Sequence, residues 1–229
     1  KPYNVQDHSH SLYVPFYTSN PIPNKIVLDT PMSGNSALLF IDEGLFSFKK
    51  NASQKILGAI LKEAFFSELR TKQQTGYIAI SNSMEVKDNM LQYFIVQSTT
   101  HYSEELLARF ELFLEEFCRS IETNISEERF NNIKTSLAQN LKIPTESLSS
   151  YSSQLFELTY SQNKQFDKRQ KTISALEGLQ YEDFIKDAKR FISRENARRL
   201  TILINGKKVN DKSFSYTEIS AKELSAQKN

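Results

Sequence analysis

The segment RTKQQTGY, residues 70–77, places an arginine seven positions before a tyrosine across a polar, glycine-containing connection. Arg70 offers a cationic fork of N–H donors and Tyr77 a neutral phenol donor. Two such groups on one rim could hold a peptide carbonyl and stabilise negative charge that develops on it. The same residues also have a purely architectural explanation. An arginine in the last turn of a helix meets the negative end of the helix dipole. Gly76 fits a backbone geometry that other residues resist, and Tyr77 is a good strand former. Composition and spacing alone favour this architectural explanation.

Other chemistries have weaker support. The chain has three histidines, His8, His10 and His101. None forms an HxxEH zinc pair, so no metal ligand set is expected. His8 and His10 bracket one serine, a weak metal pair, and His101 reads as a turn residue before a helix. Cys118 falls on an apolar helix face and reads as a small core side chain. There is no GxSxG elbow, and six glycines make no phosphate-cradling loop. Glu104, Glu105, Glu111, Glu115 and Glu116 read as the wet face of a helix. The basic stretch NKQFDKRQK, residues 163–171, reads as a solvated loop. No catalytic residue is expected.

Composition sets wider bounds. The chain has 229 residues, 39% of them hydrophobic and 24% charged, as in an ordinary globular protein. Its net charge is +2, from 29 basic and 27 acidic residues, which makes no electrostatic case for nucleic acid or an anionic membrane. No apolar run approaches the roughly 20 residues needed to span a bilayer. The expectation is a soluble protein, cytoplasmic or periplasmic, with the compartment open. A lone cysteine rules out an intrachain disulfide. The start, KPYNVQDHSH, lacks an initiator methionine and a signal core, and reads as the edge of a longer chain.

Residues 1–24 read as a linker or the tail of a preceding domain, 25–207 as one domain, and 208–229 as a polar tail or edge strand. Residues 25–29 and 35–42 read as strands joined by the turn TPMSG. Asn51 is expected to cap a helix that ends near Arg70, with Gln54 as its capping-box partner. The stripe of that helix, Ile56, Ile60 and Ala64, shifts phase before Phe65 and Leu69. Residues 77–82 and 90–98 read as strands. Ser103 and Ser126 are expected to cap two helices, and a third covers 148–160. Ser174 and Glu177 fit a capping box, a helix follows over 181–192, and a strand over 199–205 closes the pattern. Paired neighbouring strands and a long helical excursion predict an α+β fold, a mainly antiparallel sheet with helices on one face.

ELRTKQQTGYIAI, then LQYFIVQS, then HYSEELLARFELFLEEF, resembles the carboxy-terminal half of the insulysin/pitrilysin (insulinase) family of zinc metallopeptidases, in the domain that carries an LRTKEQLGY-type motif. The resemblance implies an insulinase-like α+β domain and assigns substrate binding to Arg70 and Tyr77, with peptide as the substrate. It implies that the zinc lies in a missing amino-terminal half, so that this chain alone would not hydrolyse peptides. The alternative is a stand-alone non-catalytic subunit or scaffold that assembles with a zinc-bearing partner. Thr75 departs from the motif, which has an apolar residue before the glycine, and is expected at an exposed turn position.

Overall fold

The computed structural model describes residues 22–86, 89–144, 147–160 and 166–207. Expectations for residues 1–21 and 208–229, including His8 and His10, lie outside the described residues. The described residues hold five strands: β1 (Asn24–Ser33), β2 (Asn35–Leu45), β3 (Ile78–Val86), β4 (Asn89–Ser98) and β5 (Arg199–Lys207). They form one sheet in the order β1-β5-β2-β4-β3. The pairs β2–β4, β2–β5 and β3–β4 are antiparallel and β1–β5 is parallel. The fold is α+β with a mainly antiparallel sheet.

The expected neighbouring of the first two strands is corrected. β1 runs on through most of the predicted turn, and the chain reverses at Gly34, whose φ of 90° suits glycine. The last strand, β5, lies between β1 and β2. Along its run LTILI, Thr201 and Leu203 are buried and Leu200, Ile202 and Ile204 are half-buried, and its backbone pairs with a strand on each side.

The helices are α1 (Phe48–Phe65), α2 (Ser103–Arg119), α3 (Ile121–Asn124), α4 (Glu127–Lys142), α5 (Leu148–Tyr160), α6 (Lys168–Gly178) and α7 (Tyr181–Ile192). Ser47, not Asn51, caps α1, its Oγ accepting from the Lys50 N–H at 3.3 Å. Asn51 is buried within the helix. Tyr102 precedes α2 and donates its N–H to the Glu105 carboxylate at 3.0 Å, while Ser103 is the first helical residue. Ser126 caps α4 as expected, accepting from the Arg129 N–H at 3.2 Å. Ser174 and Glu177 lie inside α6, not at a helix start, and α7 begins after Gln180, whose side chain makes no capping bond. Residues 168–171 of the supposed solvated loop belong to α6, and Lys168 forms a part-buried ion pair with Glu85 at 2.6 Å. With few apolar residues in KRQKTISALEG, α6 gave little periodic signal; Ile173 and Leu176 alone anchor it as large apolar side chains.

Alternate sheet residues Ala37, Leu39, Ile41, Ala79, Phe94, Val96 and Leu203 are buried under the helices, the period of two that a one-sided sheet requires. Phe65 stands at the centre of this core. Its ring lies 5.1 Å from that of Phe94, 5.2 Å from Phe110 and 5.5 Å from Phe113, all edge-on, a favoured aromatic geometry. Glu111 departs from the wet face expected of it and pairs at 2.5 Å with the buried Arg199 of β5. Arg199 also donates to the carbonyls of Ile192, Ser193 and Asn196, so the buried cation is compensated. No helix among the described residues is long and apolar enough to cross a membrane.

Candidate functional site

The phase shift in the α1 stripe marks a change of helix type. After Phe65 the chain continues as a π-helical segment, Phe66–Lys72. Leu57, Leu61, Phe65 and Leu69 are all buried, and their uniform spacing of four drifts off the 3.6-residue face of an α-helix. Widening the last turns keeps Leu69 in the core and rotates Phe66 and Arg70 to the outer rim. Such π-turns recur at functional sites.

The connection from this segment to β3 is tightly held. The Gln73 N–H donates to the Glu68 carbonyl at 3.0 Å. The Gln73 side-chain amide donates to the Glu68 carboxylate at 3.0 Å, and its carbonyl accepts from Arg109 at 2.8 Å. Hydrogen bonds from Gln73, then Lys72, hold the Glu68 carboxyl below its ordinary pKa. Gln74 takes a positive φ of 51°, an uncommon conformation for a residue with a side chain.

Thr75 is corrected from exposed to fully buried. Its hydroxyl donates to the Leu69 carbonyl at 2.7 Å, and its backbone N–H reaches the same oxygen at 3.0 Å. A polar residue is tolerated at this apolar position because its one donor is satisfied. Gly76 is required by close approach and not by an unusual dihedral, since a Cβ there would overlap the Gln97 carbonyl oxygen of β4.

Tyr77 emerges from this clamp 82% exposed. The Arg70 guanidinium carbon sits 5.1 Å from the centroid of Phe66 and 5.0 Å from that of Tyr77. Both distances are in cation–π range. Among the described residues Arg70 forms no ion pair, so the rings orient its donors without consuming them. Arg70 and Tyr77, seven residues apart in sequence, therefore meet on one rim.

That rim borders a cavity of about 750 Å³ between the helix and β3, lined among others by Lys62, Phe66, Arg70, Tyr77, Ile78 and Ile80, a size typical of ligand clefts. Sequence reading did not find Phe66 or the Glu68–Gln73–Arg109 clamp. The adjacent pair Phe65–Phe66, one side chain inward and one outward, was the only available signal for Phe66.

Other sequence-level candidates do not join this site. His101 lies in the turn before α2, its Nδ1 2.9 Å from the Thr100 hydroxyl. Cys118 is half-buried, and burial pushes its thiol pKa up, away from the reactive thiolate. Among the described residues no three His, Cys, Asp or Glu side chains come together to hold a metal ion.

Comparison with known proteins gives consistent results. Residues 56–156 match the family described as "PQQ synthase PqqF-like, C-terminal lobe domain 4". The chain is 28% identical over 169 residues to the human insulin-degrading enzyme, covering 73% of this chain and 16% of that protein. It is 26% identical over 152 residues to Protease 3 of Escherichia coli O6:H1, covering 64% of this chain and 16% of that protein. The chain thus spans about a sixth of the length of these relatives. Its fold superposes on pitrilysin with a TM-score of 0.69 at 19% identity, covering 87% of this chain and 21% of that one. For a peptidase M16 inactive domain from Pseudomonas fluorescens the TM-score is 0.63 at 16% identity, covering 87% of this chain and 47% of that one.

Proposed function

We propose, from the premise that this chain is related to the carboxy-terminal lobe of insulinase-family peptidases, that it is the substrate-binding part of a zinc metallopeptidase. The zinc in this reading is held by a separate amino-terminal half. Residues 25–207 are the working unit. In this reading the chain's task is to bind and orient peptide, and no step runs through a metal held here.

The observation that carries the reading is the stacking of Arg70 between Phe66 and Tyr77 at the mouth of the cavity. An arginine held by rings keeps its N–H donors for a ligand, in a geometry suited to carbonyl or carboxylate oxygens. The exposed Tyr77 hydroxyl can donate to a peptide carbonyl and to the oxyanion that forms from it. Aromatic and arginine anchors of this kind dominate binding energy at interfaces.

The test is made in the assembled peptidase, with the zinc-bearing half present. Arg70→Ala and Tyr77→Phe are each expected to lower kcat/KM about a hundredfold or more, the usual loss when one oxyanion donor is removed, with zinc content unchanged. Wild-type kinetics in both variants would refute the assignment.

A further inference from the structure

Among the described residues the sheet has two edges, β1 and β3, and they are built differently. Exposed strand edges invite pairing with another chain, and proteins usually blunt them with charge, proline or bulges. β1 is blunted in this way: it carries Lys25, Asp29 and Pro31, and its register with β5 shifts between Thr30 and Ser33. The first half of β3, Ile78, Ala79, Ile80 and Ser81, has no charge and no proline. Consecutive residues of this stretch all line the cavity. Their side chains point to opposite faces of the sheet, so the cavity wraps the strand's outer edge and meets its backbone. In an antiparallel pair alternate residues turn both backbone groups away from their partner. On the outer side of β3 the described residues supply no strand to receive those groups.

The opposite wall is the helix, which contributes Ala59, Lys62, Phe66 and Arg70. Phe66 and Ile80 are 43% and 44% exposed: Phe66 borders the slot from the helix, and Ile80, alternating with the buried Ala79 and Ser81, borders it from the open face of the sheet. Lys62 and Arg70 place positive charge on the helix rim, while the acid on the same wall, Glu63, is neutralised by Arg129 at 3.0 Å. The slot therefore offers backbone pairing on one wall and apolar and cationic groups on the other.

We propose that β3 is a docking strand: an extended peptide adds along residues 78–81 as a further strand of the sheet. On the helix side of the added strand, apolar side chains meet Phe66 and an acidic residue faces Arg70 and Lys62, while side chains of the alternate set lie over Ile80 on the open face of the sheet. Strand addition draws affinity from main-chain hydrogen bonds and specificity from the pockets that receive alternate side chains. This inference rests on the reading of the Arg70–Tyr77 rim as a peptide site and states how the peptide lies there.

The experiment is a backbone N-methyl scan of a labelled peptide that alternates valine and threonine, with one glutamate and no proline, titrated against the 229-residue chain. Only the peptide is altered, so the chain's folding is not at stake. Methylation at alternate positions is expected to weaken binding about tenfold each and to leave the intervening positions near the parent value. Glutamate to glutamine is expected to weaken binding several-fold and to reduce its salt dependence. No binding of the parent peptide, or methyl sensitivity without a period of two, would overturn the proposal. The two readings fail separately. A period-two pattern with wild-type kinetics for Arg70→Ala and Tyr77→Phe keeps the docking strand and refutes the catalytic roles. Impaired kinetics without the pattern does the reverse.

Discussion

Two adjacent residues, Thr75 and Gly76, decide whether the rim can exist. Gly76 lies so close to β4 that any Cβ overlaps a backbone oxygen, and on its other side the connection is tied to Leu69 through Thr75. Gly76→Ala is expected to cost about 3 kcal/mol, the upper range for forced overpacking, seen as a lower denaturant midpoint. Thr75→Val should behave differently. The Leu69 carbonyl keeps the backbone N–H of residue 75 as its donor, so losing the hydroxyl strands no buried group. The expected change is within about 1 kcal/mol. A large loss in Thr75→Val would mean that the side-chain bond holds the turn.

At the scale of elements, the π-helical segment connects core and site. Phe65 packs against three rings, Phe94, Phe110 and Phe113, and the next residue, Phe66, stacks on Arg70. Phe65→Ala removes a fully buried ring and is expected to cost about 3–5 kcal/mol. Because the same turn carries the rim, we expect peptide binding at a temperature where the variant remains folded to weaken as well. Calorimetric unfolding and a peptide titration on the one variant separate the two effects. Loss of stability with unaltered binding would show that the rim is positioned by the Glu68–Gln73–Arg109 clamp instead.

For the whole molecule, the junction between the sheet and α7 carries a pH dependence. Glu43 of β2 is almost wholly buried, and burial raises its pKa from 4.5 to about 7 despite the positive charges of Lys50 and Arg190. Arg190 stands 3.8 Å away, and the neighbouring acids Asp187 and Asp42 push the value further up. The folded state therefore holds a proton that the unfolded chain has released between pH 4.5 and about 7. Stability from this group is full below 4.5, falls as pH rises, and is lost above about 7. The fall is on the order of 3 kcal/mol. Glu43→Gln is expected to flatten this decline and to raise the melting temperature at about pH 8, where the wild-type carboxylate is charged. An unchanged pH profile in the variant would exclude Glu43 as the group responsible.

Local chemistry determined much of this protein from sequence. Period-two and helical spacings located five strands and most helices, because burial of one face imposes those periods wherever an element packs. The broken stripe at Ala64 and Phe65 marked the place of the π-segment without naming a change of helix type, and the RTKQQTGY stretch contained both rim residues. Tertiary structure decided what depends on contacts between distant parts of the chain. Only folding showed that β5 enters between β1 and β2, since hydrogen-bonding capacity is identical in every strand and does not name its partner. Only folding buried Thr75 and Glu43, tied Glu111 to Arg199, and gave Gly76 its reason, a carbonyl twenty-one residues away at Gln97. Among the described residues the same assembly left β3 at the sheet edge beside the helix, with its uncharged first half, residues 78–81, lining the cavity.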